Sequence, residues 1–247
     1  MFFSVMSLNI YSLKSIFLNL QLEITDHFCP SVIGICETKI TNEIEILYNI
    51  AGDNMFTNNN QSNKDRVALY IKNIIPVMVK PAQTIIRNGI ETIFADLNTP
   101  SGIITVGLVY KQSVDISTKN FSIALEEIIS SLDPNIKTYI MGDFNINLLD
   151  YSTSPLVEKK FNLIFRNYYP VITRPTRVTP ISCTLIDNIF CNRIDEIEST
   201  GEITTNISDH YPIFSRELRP SLADNVLSIN YRVFSDENLS YFRNSLQ

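Results

Sequence analysis

Short apolar runs, several of which stop on a polar side chain, recur along the chain and set the strongest limit on its fold. Their length and their content of β-branched and aromatic residues are typical of β-strands. Eight strands are predicted, at residues 2–8, 32–36, 67–71, 90–97, 103–110, 138–141, 184–190 and 211–214. The Asn-rich stretch from Asn54 to Asn63 is predicted to be an exposed loop.

Three stretches with apolar residues spaced four apart predict helices between these strands. The first covers residues 13–28 and is stopped by Pro30, and the second covers residues 117–132. The third opens at Ser154-Pro155, an N-cap followed by proline at the first helical position. Because strands outnumber helices and the two interleave, a single layered α/β or α+β domain fits better than a purely parallel doubly wound sheet.

The composition is that of a folded, intracellular protein. The chain has 247 residues, of which 45% are hydrophobic, enough for one large core or two small ones. The longest apolar stretches fall well short of the roughly 20 residues that cross a bilayer, and the first residues lack a basic signal region. Four cysteines show no paired metal spacing, which predicts buried free thiols.

Charge and residue counts exclude several classes of function. A net charge of −6 argues against a surface that grips nucleic acid all over, although it allows a local basic rim. Only two histidines are present, His27 and His210, so zinc sites that need several imidazoles are excluded. His27 is predicted to cap or flank a helix. With 7 glycines and no glycine-rich phosphate loop, a kinase or ATPase has no basis.

The apolar run that ends at Met141 is followed by an acid and an amide two residues apart, Asp143 and Asn145. In an extended chain these two side chains share one face, while Phe144 points to the core. The acid could then coordinate a cation or orient a water, and the amide could donate to a phosphate oxygen. An ordinary turn is the alternative, because Asp and Asn are common in turns.

Three further polar residues end or follow apolar runs. Glu37 follows residues 32–36, and a carboxylate at the edge of a buried strand needs a positive partner, which Mg²⁺ would supply. A solvated strand end beside Lys39 is the alternative. Asn9 could add an oxygen ligand and Tyr110 could reach a phosphate, or they could be a capping asparagine and a packing tyrosine.

His210 lies in Ser208-Asp209-His210, just before the last predicted strand. A histidine that titrates near neutral pH needs a carboxylate to fix its tautomer. Asp187, inside the apolar run 184–190, is an acid that is costly to bury unless it is paired. The two residues are predicted to form a dyad, either at an active site or as a hydrogen bond within a core.

Taken in chain order, these residues resemble those of the endonuclease/exonuclease/phosphatase family. More narrowly, the chain looks like the apurinic-site-endonuclease-like domain of non-LTR retrotransposons over about residues 5–215. The resemblance rests on Asn9, on Glu-Thr at 37–38, on Tyr110, on Gly-Asp-Phe-Asn at 142–145, on TLIDNIF at 184–190 and on SDHYPI at 208–213. Repair members carry an acid where this chain has Tyr11, which favours the retrotransposon branch.

The resemblance implies a deoxyribonuclease I-like fold, a four-layer sandwich of two packed mixed β-sheets flanked by helices. It implies a Mg²⁺-dependent site, with Mn²⁺ as the other suitable ion. Carried over to this chain, the metal ligands are Glu37, Asn9 and Asp209; Asp143 positions water; Asn145 and Tyr110 bind phosphate; and His210 acts with Asp187. The implied domain covers residues 1–216, followed by a spacer with a short helix at 217–247.

The implied function is that of a DNA endonuclease that nicks one strand and leaves a 3′-hydroxyl primer. Its partners would be DNA and a reverse transcriptase domain in a longer polyprotein. DNA would be contacted through Arg174, Arg177 and Lys159 or Lys160. The protein would act on DNA in the nucleus and would not bind a membrane. Two alternatives remain open. The intact site also suits a phosphatase acting on a lipid or small phosphate, and departures such as Asp65-Arg66 in place of the family's Gly-Gly suit a non-catalytic remnant.

Overall fold

The computed structural model describes residues 3–22, 28–41, 44–58, 67–87, 89–112 and 118–218. His27, the Asp65-Arg66 pair and the predicted spacer from residue 219 onward lie outside these residues. The spacer therefore stays a prediction.

The described residues alternate between strands and helices in the interleaved order that the sequence predicts. The strands and α-helices are β1 (Ser4–Asn9), α1 (Leu13–Leu20), β2 (Val32–Cys36), β3 (Asp53–Thr57), β4 (Ala68–Lys72), β5 (Val77–Val79), β6 (Ile86–Arg87), β7 (Ile90–Thr99), β8 (Gly102–Lys111), α2 (Thr118–Ser130), β9 (Lys137–Asp143), α3 (Pro155–Phe165), β10 (Tyr169–Pro170), β11 (Arg177–Thr179), β12 (Ser182–Thr184), β13 (Asp187–Cys191), β14 (Ile197–Glu202) and β15 (Ile213–Glu217).

Two mixed sheets carry these strands. Sheet 1 has the order β14-β15-β1-β2-β4-β3, and sheet 2 has the order β10-β13-β9-β8-β7-β5 with β6 beside β7. Each sheet contains one parallel pair, β1 with β2 in sheet 1 and β8 with β9 in sheet 2. β11 and β12 form a separate two-stranded hairpin.

The apolar residues sort into three clusters that define four layers. One cluster joins the facing sides of the two sheets, where Val32 and Leu69 of sheet 1 pack with Val106 and Met141 of sheet 2. A second cluster packs α2 and α3 on the outer side of sheet 2. A third places α1 on the outer side of sheet 1, with Leu13 and Leu20 fully buried. The predicted sandwich of two mixed sheets flanked by helices is confirmed.

Several local predictions were wrong. Residues 184–190 are not one strand, because β12 ends at Thr184 and β13 begins at Asp187 in a different sheet. The start of the Asn-rich stretch is not a loop, since β3 pairs with β4 along Asp53–Thr57. Three-residue strands such as β5 and β11 are too short to show a periodic apolar pattern in the sequence. Two of the four cysteines, Cys29 and Cys183, are exposed.

Among the described residues, no helix is both long and apolar enough to cross a membrane. The last strand, β15, ends at Glu217 and so passes the predicted domain limit at residue 216 by one residue.

Candidate active site

The side chains predicted to act in sheet 1 lie where its parallel pair ends. Asn9 is the last residue of β1, and Glu37 follows the last residue of β2. The register pairs Asn9 with Cys36, so the carboxyl ends of both strands reach the same edge. This is the edge at which sheets with parallel strands commonly bind ligands.

The predicted residues of sheet 2 lie at the ends of its strands, at the edge that faces Asn9 and Glu37 of sheet 1. In the parallel pair of β8 and β9, Tyr110 lies opposite Asp143. Asp187, the first residue of the antiparallel β13, is also paired with Asp143. Three polar side chains that are far apart in sequence therefore meet because of strand register alone.

Hydrogen bonds connect the ends of the two sheets. The Nδ2 atom of Asn9 donates to Oε1 of Glu37 and to Oδ2 of Asp143, each at 2.9 Å. The hydroxyl of Tyr110 donates to Oε1 of Glu37 at 3.1 Å. Asn9 thus bridges the two carboxylates with its amide nitrogen, while its oxygen accepts a hydrogen bond from the backbone N–H of Tyr11 at 3.1 Å.

Asn145 reaches Asp143 by a different route from the predicted one. Asp143 ends β9, and Asn145 lies beyond it in the left-handed region with φ 45° rather than in extended chain. Its backbone N–H donates to Oδ1 of Asp143 at 2.8 Å, as in an Asx turn, and its Nδ2 donates to Oδ2 of Asp143 at 3.2 Å and to the carbonyl of Lys111 at 2.6 Å. Turn geometry, and not strand alternation, brings the acid and the amide together. As predicted, Phe144 is buried between them.

The predicted dyad is present and has a third member. Nδ1 of His210 lies 2.9 Å from Oδ2 of Asp187, which leaves Nε2 as the ring nitrogen for a substrate. The hydroxyl of Thr176 donates to the same Oδ2 at 2.7 Å and accepts from the backbone N–H of Asp187 at 3.1 Å. Thr176 is fully buried and was not found from the sequence, where it stands outside any apolar run.

Burial and neighbouring charges shift two pKa values at this site. Burial, reinforced by the charge of Asp187, raises the pKa of Asp143 to about 7, although His210 and the Asn9 and Asn145 donors act in the opposite direction. Burial alone would lower the pKa of His210, but Asp187 and then Asp143 outweigh it and raise the pKa to about 9. At neutral pH the imidazole of His210 therefore carries a proton on both nitrogens.

Unusual backbone conformations concentrate around the site. Four of the five non-glycine residues with positive φ in the described chain, Tyr11, Glu37, Lys39 and Asn145, follow the strands that carry the site. Such conformations cost of order 1–3 kcal/mol each and persist only where the surroundings enforce them. Gly142, with φ 137°, has no room for a side chain, because a Cβ atom would lie 2.0 Å from the carbonyl oxygen of Val109.

The predicted basic residues differ in their distance from the site. Nε of Arg177 donates to Oδ2 of Asp209 at 2.8 Å, and an isolated β-bridge joins Arg177 to His210. Desolvation would raise the pKa of Asp209, but the hydrogen bond from Arg177 and the positive charges of His210 and Arg177 together outweigh this and lower it. Arg174 is exposed and lies 3.4 Å from a carboxylate oxygen of Glu202. Lys159 is exposed on α3.

The donor set suits a hard divalent cation. Glu37 supplies carboxylate oxygens beside the Asn9 amide, and Mg²⁺ and Ca²⁺ prefer oxygen ligands. Burial and then the charge of Asp187 raise the pKa of Asp143, so a cation beside this carboxylate would favour its ionised form. A second possible set consists of Asp143, Asp187 and His210, whose ligand atoms all lie within 4.8 Å of one another. Because Nδ1 of His210 already faces Asp187, the Glu37 set fits better.

Comparison with known proteins gives one family match. A model of the endonuclease/exonuclease/phosphatase family matches residues 6–210. No curated protein sequence matches the chain.

Solved structures with the same fold include three from different nucleic-acid enzymes. The endonuclease domain of TRAS1, a telomere-specific non-LTR retrotransposon, has a TM-score of 0.71 at 15% identity, covering 89% of this chain and 100% of that one. D. rerio TDP2 complexed with single-strand DNA product has a TM-score of 0.65 at 12% identity, covering 87% and 98%. An AP endonuclease from Archaeoglobus fulgidus has a TM-score of 0.65 at 12% identity, covering 86% and 98%.

Proposed function

The chain belongs to the endonuclease/exonuclease/phosphatase family, and from that premise we propose that it is a metal-dependent DNA endonuclease of the retrotransposon type. It would hydrolyse one phosphodiester bond in one strand and leave a 3′-hydroxyl that can prime synthesis. In a longer polyprotein a reverse transcriptase domain would use that primer, and the reaction would take place in the nucleus.

One observation carries this proposal. The polar side chains picked out from sequence come from both sheets and from positions 9 to 210, yet they form two hydrogen-bonded groups that meet at one edge, where ligand atoms of Asp143, Asp187 and His210 lie within 4.8 Å of one another. Buried polar groups persist when they are paired, and a structural role alone does not require an acid, an amide and an imidazole at the same edge. Phosphodiester hydrolysis uses all three kinds of group.

The proposed metal ligands are Glu37, Asn9 and Asp209. When bound, Mg²⁺ or Mn²⁺ would supply positive charge to offset the charge that develops on the phosphate oxygens. Asn9 would have to present its oxygen, which now accepts from Tyr11, and Asp209 would have to share its carboxylate with Arg177.

The remaining roles follow from the positions of the protons. Asp143, with a pKa of about 7, would accept a hydrogen bond from the attacking water and take its proton. Asn145 fixes both oxygens of that carboxylate, so it would orient Asp143 as well as contact the phosphate. His210, protonated on Nε2, would donate to a phosphate oxygen, with Asp187 holding the ring in place. Tyr110 would contact phosphate through its hydroxyl.

DNA is the proposed substrate, and the basic residues near the site support this choice. Arg177 lies beside the Ser208–His210 segment through its bond to Asp209, and Arg174, three residues earlier in the chain, is exposed to solvent. Guanidinium groups pair well with phosphate oxygens. If several such contacts form, raising the salt concentration should weaken DNA binding steeply.

The test is nicking of supercoiled plasmid by the purified chain with Mg²⁺ or Mn²⁺. We expect nicked circles whose ends a DNA polymerase extends without prior treatment, because the nick leaves a 3′-hydroxyl. Asp143→Ala and His210→Ala should each lower the rate by about 100-fold or more.

Asp195→Ala is the matched control, because Asp195 is exposed and lines a cavity with Lys137, at the opposite end of β9 from Asp143. A folded chain that leaves the plasmid supercoiled with either metal would overturn the proposal. Release of phosphate from lipid or small phosphate esters by that same chain would assign it to the phosphatases instead. The net charge of −6 is the observation that favours that second candidate.

A further inference from the structure

The ammonium group of Lys39 lies between an acid of the site and an exposed aromatic ring. Its Nζ atom is 3.3 Å from Oε2 of Glu37 and 3.2 Å from the centroid of the Tyr11 ring. The side chain of Lys39 is 27% exposed and that of Glu37 is 17% exposed, so both charges are partly shielded from water. Tyr11 is 72% exposed.

The two oxygens of Glu37 face different partners. Oε1 accepts hydrogen bonds from Nδ2 of Asn9 and from the hydroxyl of Tyr110. Oε2 faces the ammonium of Lys39. A cation that approaches the carboxylate on the Oε2 side would therefore meet a positive charge already in place.

The backbone holds this arrangement firmly. Tyr11, Glu37 and Lys39 all have positive φ, at 59°, 58° and 50°. Thr38, between the acid and the lysine, is fully buried, and its carbonyl accepts a hydrogen bond from the backbone N–H of Leu13 at 2.9 Å. These three residues surround the ammonium group of Lys39, and all three have an unfavourable backbone conformation. The fold therefore holds the ammonium in place, unlike that of a freely moving surface lysine.

We propose that Lys39 is a positioning residue that neutralises Glu37 in the metal-free protein and is displaced from Oε2 when a divalent cation binds. This inference rests on the proposed function, since it takes Glu37 as a metal ligand. The ring of Tyr11 offers the displaced ammonium a second favourable contact, through the attraction between a cation and an aromatic face. Lys39 thus sets how much free metal the site requires.

The test measures metal binding without any nucleic acid. The chain has 11 tyrosines and no tryptophan, so ultraviolet excitation at the tyrosine band can sensitise bound Tb³⁺ through Tyr110 and Tyr11, and added Mg²⁺ then displaces the Tb³⁺. Removing a like charge beside the site should tighten Mg²⁺ binding, so Lys39→Met is expected to bind roughly tenfold more tightly. Lys39→Arg keeps the charge and should stay within about twofold of the wild type.

Lys80→Met is the matched control. Lys80 pairs with Asp96 at 2.8 Å with 25% of its side chain exposed, so the substitution removes the same charge from a comparable ion pair. We expect no change in metal affinity for that variant. If Lys39→Met, folded by circular dichroism, binds Mg²⁺ no more tightly than Lys80→Met, the inference is wrong. Lys39→Gln serves as a second uncharged variant should Lys39→Met fail to fold.

The outcome separates this inference from the proposed function. Glu37→Gln is introduced into the wild type and into Lys39→Met. If it lowers the Tb³⁺ signal in neither, Glu37 holds no metal and the metal-dependent function fails with it. If the wild type loses its signal on Glu37→Gln but Lys39→Met and Lys39→Arg bind alike, the metal site stands and the role of Lys39 is overturned.

Discussion

At the scale of single residues, the site contains acids that are costly to bury alone. Asp187 is buried, and three groups meet it: the imidazole of His210, the hydroxyl of Thr176 and its own strand partner Asp143. The first two stabilise the carboxylate, whereas the third carries the same charge. The shifted pKa values of His210 and Asp143 are two results of this one arrangement.

Replacing Asp187 by Asn tests that arrangement directly. The pKa of His210 should fall well below about 9, because Asp187 opposes burial most strongly and only the weaker effects of Asp143 and Asp209 remain. The measurement is an NMR titration of the metal-free protein, in which His27→Gln removes the signal of the other histidine. A pKa that stays near 9 in Asp187→Asn would show that another group holds the proton on His210.

At the scale of elements, the close approach of β8 and β9 positions Asp143. Gly142, the residue before it, has φ 137° and lies against the backbone of Val109 in β8. An L-residue rarely adopts this φ, and the missing Cβ is what permits the contact. The glycine of the Gly-Asp-Phe-Asn motif is therefore needed for packing and not for the chemistry itself.

Gly142→Ala should accordingly lower the free energy of unfolding by roughly 3 kcal/mol or more, because strand separation adds to the cost of the backbone conformation. Gly52→Ala is the control, since Gly52 also has a positive φ, of 86°, but a Cβ atom there would meet nothing within 4 Å. Its expected loss is about 1 kcal/mol. Urea unfolding measures both, and equal losses would contradict the steric account.

At the scale of the whole molecule, the site lies where both sheets end, so its charge state is coupled to folding. His210 has a raised pKa in the folded chain, which means that its contribution to stability is complete below pH 6.5 and is lost as the pH rises through about 9. The pKa of Asp143 is raised from 3.8 to about 7, so its contribution to stability is also lost as the pH rises, but over a lower range of pH.

The metal-free protein should therefore become less stable between pH 6.5 and pH 9, by roughly 3 kcal/mol from His210 alone. Chemical unfolding across this range, with a chelator present, gives the dependence. His210→Gln should flatten this pH dependence of stability, because glutamine has no proton to release on unfolding in this pH range. If the free energy of unfolding of that variant falls with pH as steeply as in the wild type, a group other than His210 releases the proton.

Some residues of the site can be predicted from the sequence and others cannot. Glu37, Asp143 and Asp187 were found because each interrupts or ends an apolar run, and such a signal survives in the bare sequence. Thr176 gives no such signal, and neither does the contact of Lys39 with the Tyr11 ring, because their partners are 11 and 28 residues away along the chain. The short strands β5, β6, β10, β11 and β12 owe their existence to a neighbour in the sheet and not to their own pattern.

By itself, the sequence determined the layered β-rich fold and the identity of the polar groups at the strand ends, because burial dictates the apolar periodicity and polar residues interrupt it visibly. Only the tertiary structure decided which of those groups touch. Strand register brought Asp187 opposite Asp143, the Asx turn brought Asn145 onto Asp143, and two strained backbone positions aimed Lys39 at Glu37. The physical reason is that hydrogen-bond distances and pKa values depend on the local backbone conformation and on contacts with residues remote in sequence, and the apolar pattern encodes neither.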